Sequence, residues 1–198
     1  MIICENLLFS YGAELHNYKS GENIFKEEST PKYYFQIKSG TVKLSSFLED
    51  SKEFIHGLPF DGHCFAETYL FHDKKYAVNA IAATNCEIVK LEKHKLIELL
   101  LEKPELILNI NSYTADRMHY RYLTSASFSF KDPITKLNLV MNHLKSNFGF
   151  TERFSFLIPY TRQQLASITG MRIETVIRAI KKMEKQGIIK IDNSKIYI

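Results

Sequence analysis

Near the C-terminal end of the chain, Glu174, Arg178 and Lys181 follow one another at steps of four and three residues within "TRQQLASITGMRIETVIRAIKKMEKQGII". On a helix this spacing gathers a carboxylate, a guanidinium and an ammonium on one face. A guanidinium is a planar fork that fits the O6/N7 edge of guanine with two parallel hydrogen bonds, and an ammonium is a point charge suited to phosphate. The plainer alternative is a surface ion pair between Glu174 and Arg178, contributing about 0.3–0.5 kcal/mol. Reading base edges needs more than three side chains. It needs a rigid helix that a scaffold can lay into a groove, and positive surroundings.

The charge distribution provides the second. From Lys131 onward twelve basic residues stand against five acidic ones, a surplus of +7, while the chain as a whole carries +4 and the preceding part therefore −3. A basic segment joined to a mildly acidic one fits a nucleic-acid partner. No G-x-S-x-G, H-E-x-x-H or phosphate-cradling glycine loop occurs, so an enzyme is not expected. A module of signalling or scaffold type, with the same helices binding protein, is the contrasting class.

The helices that must carry the charged face are marked locally. Thr161 and Gln164 form the pattern of a capping box, and Gly170 supplies a turn. A second helix is predicted from about Arg172 to Gln186, ended by Gly187. At 100° per residue Val176, Ala179, Ile180 and Met183 share a core-facing arc, opposite Glu174, Arg178 and Lys181. Ile173 and Ile177 fall at the margin between the arcs, Ile177 further toward the polar side. "IIKIDNSKIYI" reads as a two-stranded wing, completing a winged helix-turn-helix.

Upstream, the pattern changes twice. Residues 18 to 92 read as short strands with turns at Ser39-Gly40, Asp61-Gly62 and Thr84-Asn85, which favours a β-roll or jelly-roll barrel over a parallel sheet. A long helix is then expected from about Pro104 to Ser125 with two stripes. One runs Leu106, Ile110, Tyr113, Arg117, Tyr120, Thr124, and the other Leu108, Ala115, Met118, Tyr122. One stripe is expected to pack on the barrel and the other on a second subunit; the first is taken as the dimer interface. In "SFKDP" Pro133 starts a new helix with Asp132 as N-cap, and "ITKLNLVMNHL" puts Ile134, Leu137, Val140, Met141 and Leu144 on one face. The fold class is thus α+β, with a sensor β-roll over 1–103, a dimerisation helix and hinge over 104–130, and a winged helix-turn-helix over 131–198.

Composition excludes several classes. With 45% hydrophobic residues, 14 Phe and 11 Tyr, the chain can fill real cores. No apolar run approaches the roughly 18–20 residues of a membrane span. "MIICENLLFSYGAELH" has no basic n-region of a secretion signal, and Cys4, Cys64 and Cys86 are too few and too scattered for a disulfide framework. A cytoplasmic location is expected.

Over nearly its whole length the sequence resembles the CRP/FNR family of bacterial transcription regulators. The C-terminal stretch carries residues like the family's T-R-Q, its glycine turn and its E-T-V-x-R recognition motif. The resemblance implies a cyclic-nucleotide-binding-type β-roll, a long dimerisation helix and a winged helix-turn-helix, hence a homodimer on an inverted-repeat operator in double-stranded DNA. RNA polymerase is a further expected partner. By the same resemblance Glu174 and Arg178 reach base edges, Thr161, Arg162 and Gln163 touch phosphate or sugar, and Lys181 touches phosphate one turn on. Arg172 adds a phosphate or flanking-base contact, and Thr175 lies within the same motif. Ile173 and Ile177 suit thymine methyl groups, although Ile173 equally suits the core. An apolar residue at 173 resembles the oxygen-sensing branch and predicts TTG-type half-sites with one strong guanine each.

The sensor half departs from the nucleotide-binding pattern. In "GHCFAETYLFHDKKYAVNA" Glu67 persists, but the glycine before it is Ala66, and the family's Arg-Ser falls on Tyr76-Ala77. Its adenine-contacting Thr-Ser pair falls on Arg121-Tyr122. Without the arginine a buried phosphate lacks its charge partner, so Glu67, Tyr76, Ala77, Arg121 and Tyr122 are read as a vestigial effector pocket that does not take cAMP. The N-terminal cysteine cluster of iron–sulfur relatives is reduced to Cys4. His16, His56, His63, His72, His94 and His119 have no haem-specific spacing. Cys64 beside His63 is a small core hydrophobe or, in the sharper reading, a redox or metal group. No cofactor or metal is expected, and any effector is unknown.

Overall fold

The computed structural model describes residues 2–47, 53–72 and 74–198, with only the backbone of residues 123, 124, 126–129 and 147. It divides into two units, the first ending at Asp116 and the second running from Arg117 to Ile198.

The first unit is a roll of two four-stranded antiparallel sheets. The strands are β1 (Glu14–Tyr18), β2 (Asn23–Phe25), β3 (Tyr33–Ser39), β4 (Val42–Phe47), β5 (Glu53–Gly57), β6 (Cys64–Phe65), β7 (Asn79–Ala82) and β8 (Cys86–Glu92). One sheet has the order β1-β8-β3-β6, the other β2-β7-β4-β5. The turn at Ser39-Gly40 therefore passes the chain from one sheet to the other and makes no hairpin. Gly40 has φ +100°, and a Cβ there would come within 2.4 Å of the Asn85 carbonyl oxygen. Only glycine suits that crossing.

Strand β3 does not alternate between core and solvent, because both its faces are buried. Phe35 and Ile37 face the roll interior with Phe25, Phe65, Tyr76 and Ile88. Tyr34, on the other face, joins a second core with Ile3, Leu8, Cys64, Val89 and Leu91. That second core is closed by three helices: α1 (Glu5–Ser10) and α2 (Lys93–Glu102), neither of them expected from the sequence, and α3 (Glu105–Ser129). Helix α3 extends four residues beyond the expected end at Ser125.

The two stripes of α3 meet different surroundings within the chain, and the one expected to face a second subunit is partly taken up by the roll. Leu106 and Ile110 are buried in the core of the chain's own roll, with Tyr113 packed against it. Tyr120 is half-buried and stacks on His143, Arg117 is half-buried, and the side chain of Thr124 lies outside the described residues. The stripe left to solvent is the other one: Leu108 is 70% exposed, Met118 53% and Tyr122 66%, with Ala115 also exposed. Two apolar stripes identify two faces. Which one the roll takes is decided by tertiary packing.

The second unit contains the last turns of α3, then α4 (Pro133–Asn147), α5 (Arg162–Thr169), α6 (Ile173–Lys185) and the hairpin β9 (Lys190–Asp192) and β10 (Lys195–Tyr197). Asp132 caps α4 by accepting from the Thr135 N–H, as its sequence position predicts. Leu137, Val140, Met141 and Leu144 of α4 are buried, as are Leu165 and Ile168 of α5 and Val176, Ala179, Ile180 and Met183 of α6. The stretch before α5 adds a third strand-like edge to the hairpin, since Phe156 and Ile158 bond to Ile198 and Ile196.

Candidate nucleic-acid interface

Local signals set the geometry of the two helices. The Gln164 N–H donates to Thr161 Oγ1 at 3.1 Å, and the Thr161 N–H donates to Gln164 Oε1 at 2.8 Å. This reciprocal cap fixes where α5 starts. Gly170, at φ +66°, ends α5 in the left-handed conformation and sends the chain into α6. Helix α6 covers Ile173–Lys185, one residue shorter at each end than expected, because Arg172 takes extended backbone as N-cap and Gln186 is the C-cap.

On α6, Glu174, Arg178 and Lys181 are exposed opposite the buried arc, while Ile173, Thr175 and Ile177 are half-buried at its margins. Among the described residues, Glu174 and Arg178 make no ion pair with each other or with another charge. Their hydrogen-bonding capacity faces water. Arg172, Lys182, Lys185, Lys190 and Lys195 are exposed too, so the surroundings are basic. The wing turn, Asn193-Ser194, has φ of +46° and +64°, the primed turn expected of a two-residue hairpin loop. Arg162 donates from Nη1 to the Ser194 carbonyl oxygen at 3.3 Å, which ties the start of α5 to the wing. A cleft of about 330 Å³ lies there, lined in part by Tyr160, Thr161, Arg162, Ser194 and Lys195. Thr161 and Gln163 are exposed. Ser194 and Lys195 were not singled out from sequence; the "DNSK" turn of the wing was the available signal.

Tyr160, just before α5, titrates above its ordinary range because it is buried, with Tyr120 adding to the effect. Burial also pushes Tyr120 up to about 12. The His143 ring, 4.4 Å from that of Tyr120 and nearly parallel to it, is pulled below the usual imidazole range by burial and then by His119.

The five expected pocket residues go to different places, three in the first unit and two in the second. Tyr76 is 2% exposed inside the roll, its ring 3.8 Å from that of Phe25, and burial raises its hydroxyl pKa. Ala77 is exposed, and its N–H donates to the Tyr69 hydroxyl at 3.2 Å. Glu67 is buried and accepts from Thr114 Oγ1 at 3.1 Å. Ala66 before it has φ +59°, so an alanine holds a conformation that favours glycine. Arg121 and Tyr122 belong to the second unit and are exposed. Cys64 and Cys86 are buried and Cys4 is exposed. Among the described residues, no three His, Cys, Asp or Glu side chains converge as metal ligands. Nor is any described helix long and apolar enough to cross a membrane.

Residues 15–103 match the family model of the cyclic nucleotide-binding domain, and residues 138–198 that of the Crp-like helix-turn-helix domain. The chain belongs to the CRP/FNR family. It is similar to the cAMP-activated global transcriptional regulator CRP of Haemophilus influenzae, with 28% identity over 179 residues covering 88% of this chain and 79% of that protein. A probable transcriptional activator of Rhizobium leguminosarum is 25% identical, covering 88% and 72%. Its fold is that of a CooA mutant from Carboxydothermus hydrogenoformans (TM-score 0.82, 17% identity, 98% and 85% covered) and of FixK2 from Bradyrhizobium japonicum (TM-score 0.78, 18% identity, 94% and 92% covered). These family members are transcription regulators and not enzymes, and this chain is a DNA-binding regulator of the same type.

Proposed function

We propose that the chain is a dimeric, sequence-specific regulator that binds an inverted-repeat operator without cAMP. The observation that carries the DNA reading is the α6 face on which Glu174 and Arg178 are exposed and unpaired with each other. Arg178 reads one guanine per half-site opposite Glu174, and Ile177, with Ile173 behind it, packs on thymine methyls, giving TTG-type half-sites. Thr161, Arg162, Gln163, Arg172 and Lys181 hold phosphate or sugar, and Thr175 lines the same edge.

A two-fold operator needs two recognition helices about one DNA turn apart. The second copy is met by the exposed face of α3, Leu108, Ala115, Met118 and Tyr122, in place of the stripe that the roll has taken. Residues 1–103, 104–130 and 131–198 then serve as sensor, dimer helix with hinge, and DNA reader, in a cytoplasmic protein that meets RNA polymerase at its promoters. The activation by cAMP named for the Haemophilus relative does not carry over. Tyr76, where the phosphate-neutralising arginine is expected, is a stacked core side chain. Selection from random DNA tests this reading. Inverted TTG-type half-sites with one essential guanine support it; TGTGA-type half-sites with two essential guanines contradict it.

A further inference from the structure

Two hydroxyl groups on adjacent residues of α3 are directed at the roll. Tyr113 donates to the Cys64 carbonyl oxygen at 3.1 Å, and Thr114 donates to Glu67 Oε1 at 3.1 Å. Their acceptors flank the short segment that leads from β6 into the 3-10 turn Glu67–Phe71. Glu67 is 1% exposed, and a carboxylate so buried must be satisfied at folding. The ring of Tyr113 also lies 5.2 Å from that of His63. Leu106 and Ile110 bring the preceding turns of α3 into the same core. Apolar contact alone leaves a helix able to slide or rotate, whereas hydrogen bonds to fixed acceptors set its rotation.

We propose that Tyr113 and Thr114 are positioning residues, a latch that holds the first half of α3 in one rotation against the 64–71 segment through groups of the chain itself. This rests on the reading that the opposite face of α3 meets a second subunit. The latch keeps that face turned outward, so the two DNA readers are spaced for an operator with no small molecule bound.

The test is hydrogen exchange of the full-length protein, with operator binding measured in parallel. Thr114→Val and Tyr113→Phe each remove one donor with little change of shape. Each should speed exchange in both 64–71 and 110–116 by about tenfold, with 33–39 unchanged as the internal control for an intact roll. Operator affinity should fall by about tenfold while random-DNA affinity stays. Thr114→Ser, which keeps the donor, should restore wild-type exchange and operator affinity. Faster exchange confined to α3, faster exchange everywhere including 33–39, wild-type rates in both variants, or operator affinity unchanged in both would each overturn the latch. Sedimentation of the wild type decides the underlying reading separately. A monomer there removes the dimer, whereas the exchange pattern still decides whether the latch exists.

Discussion

The two units treat their polar groups in opposite ways. On α6, Glu174, Arg178 and Lys181 are exposed, and the first two leave their hydrogen-bonding capacity to water. In the roll, three buried polar side chains, Tyr34, Gln36 and Glu67, are engaged within the chain. The Gln36 side chain bonds both the N–H and the carbonyl of Ile3, the Tyr34 hydroxyl donates to Gln36, and Glu67 accepts from Thr114. Water solvates an exposed charge at no folding cost, so a surface can wait for a partner. A buried polar group has no such option and needs its partner when the chain folds. The contrast sets an exposed charged helix face, open to a partner, against a roll in which Tyr34, Gln36 and Glu67 are already engaged.

The largest effect that can break this comparison is on α3. Ile110→Asp puts a carboxylate into the roll's core and should cost several kcal/mol of stability. Met118→Asp, on the exposed face, should leave the fold intact and yield monomers. Thermal unfolding with sedimentation checks both; the reverse pattern would return the dimer interface to the Leu106 stripe. On α6, Arg178→Ala should cost about 1–3 kcal/mol of specific binding and relax discrimination at one guanine. Arg162→Ala should weaken all sequences alike and lower the salt slope by about one. Titrations on operator and random DNA at several salt concentrations separate the two.

A smaller effect sharpens the sensor side. Ala66 pays for its left-handed backbone, so Ala66→Gly should raise the roll's stability by up to about 1 kcal/mol in denaturant unfolding. A loss of stability would show that the side chain's packing outweighs the strain. The smallest effect is a pH dependence in the second unit. The folded pKa of His143 lies below its unfolded value near 6.5, so the unfolded chain binds the extra proton first. Stability should be full above that range and fall as the pH drops through it. His143→Phe, which keeps a ring against Tyr120, should flatten the thermal midpoint between about pH 7 and pH 5.5. An unchanged slope would remove His143 as the cause.

What was legible in the sequence was what depends on neighbours along the chain. The capping box at Thr161 and Gln164, the Asp132 cap and the Gly170 turn each involve groups within a few residues, and the α6 arcs follow from helical period alone. The β-roll was legible as a class from short strands and turn residues. The partner of each face was not. The stripe of Leu106, Ile110 and Tyr113 has the same period whether a roll or a second subunit covers it. The bond from Thr114 to Glu67 spans 47 residues, and no local pattern announces it. Helix α1, six residues long, is too short for periodicity to reveal.

Binding of the purified protein to an inverted-repeat operator carrying TTG-type half-sites, compared with scrambled DNA of equal length and with and without cAMP, tests the central claim most directly. Operator affinity should exceed that for scrambled DNA by on the order of a thousandfold or more, be lost steeply with salt and be unchanged by cAMP. Equal affinity for the two DNAs, or a preference that emerges only when cAMP is added, would contradict it.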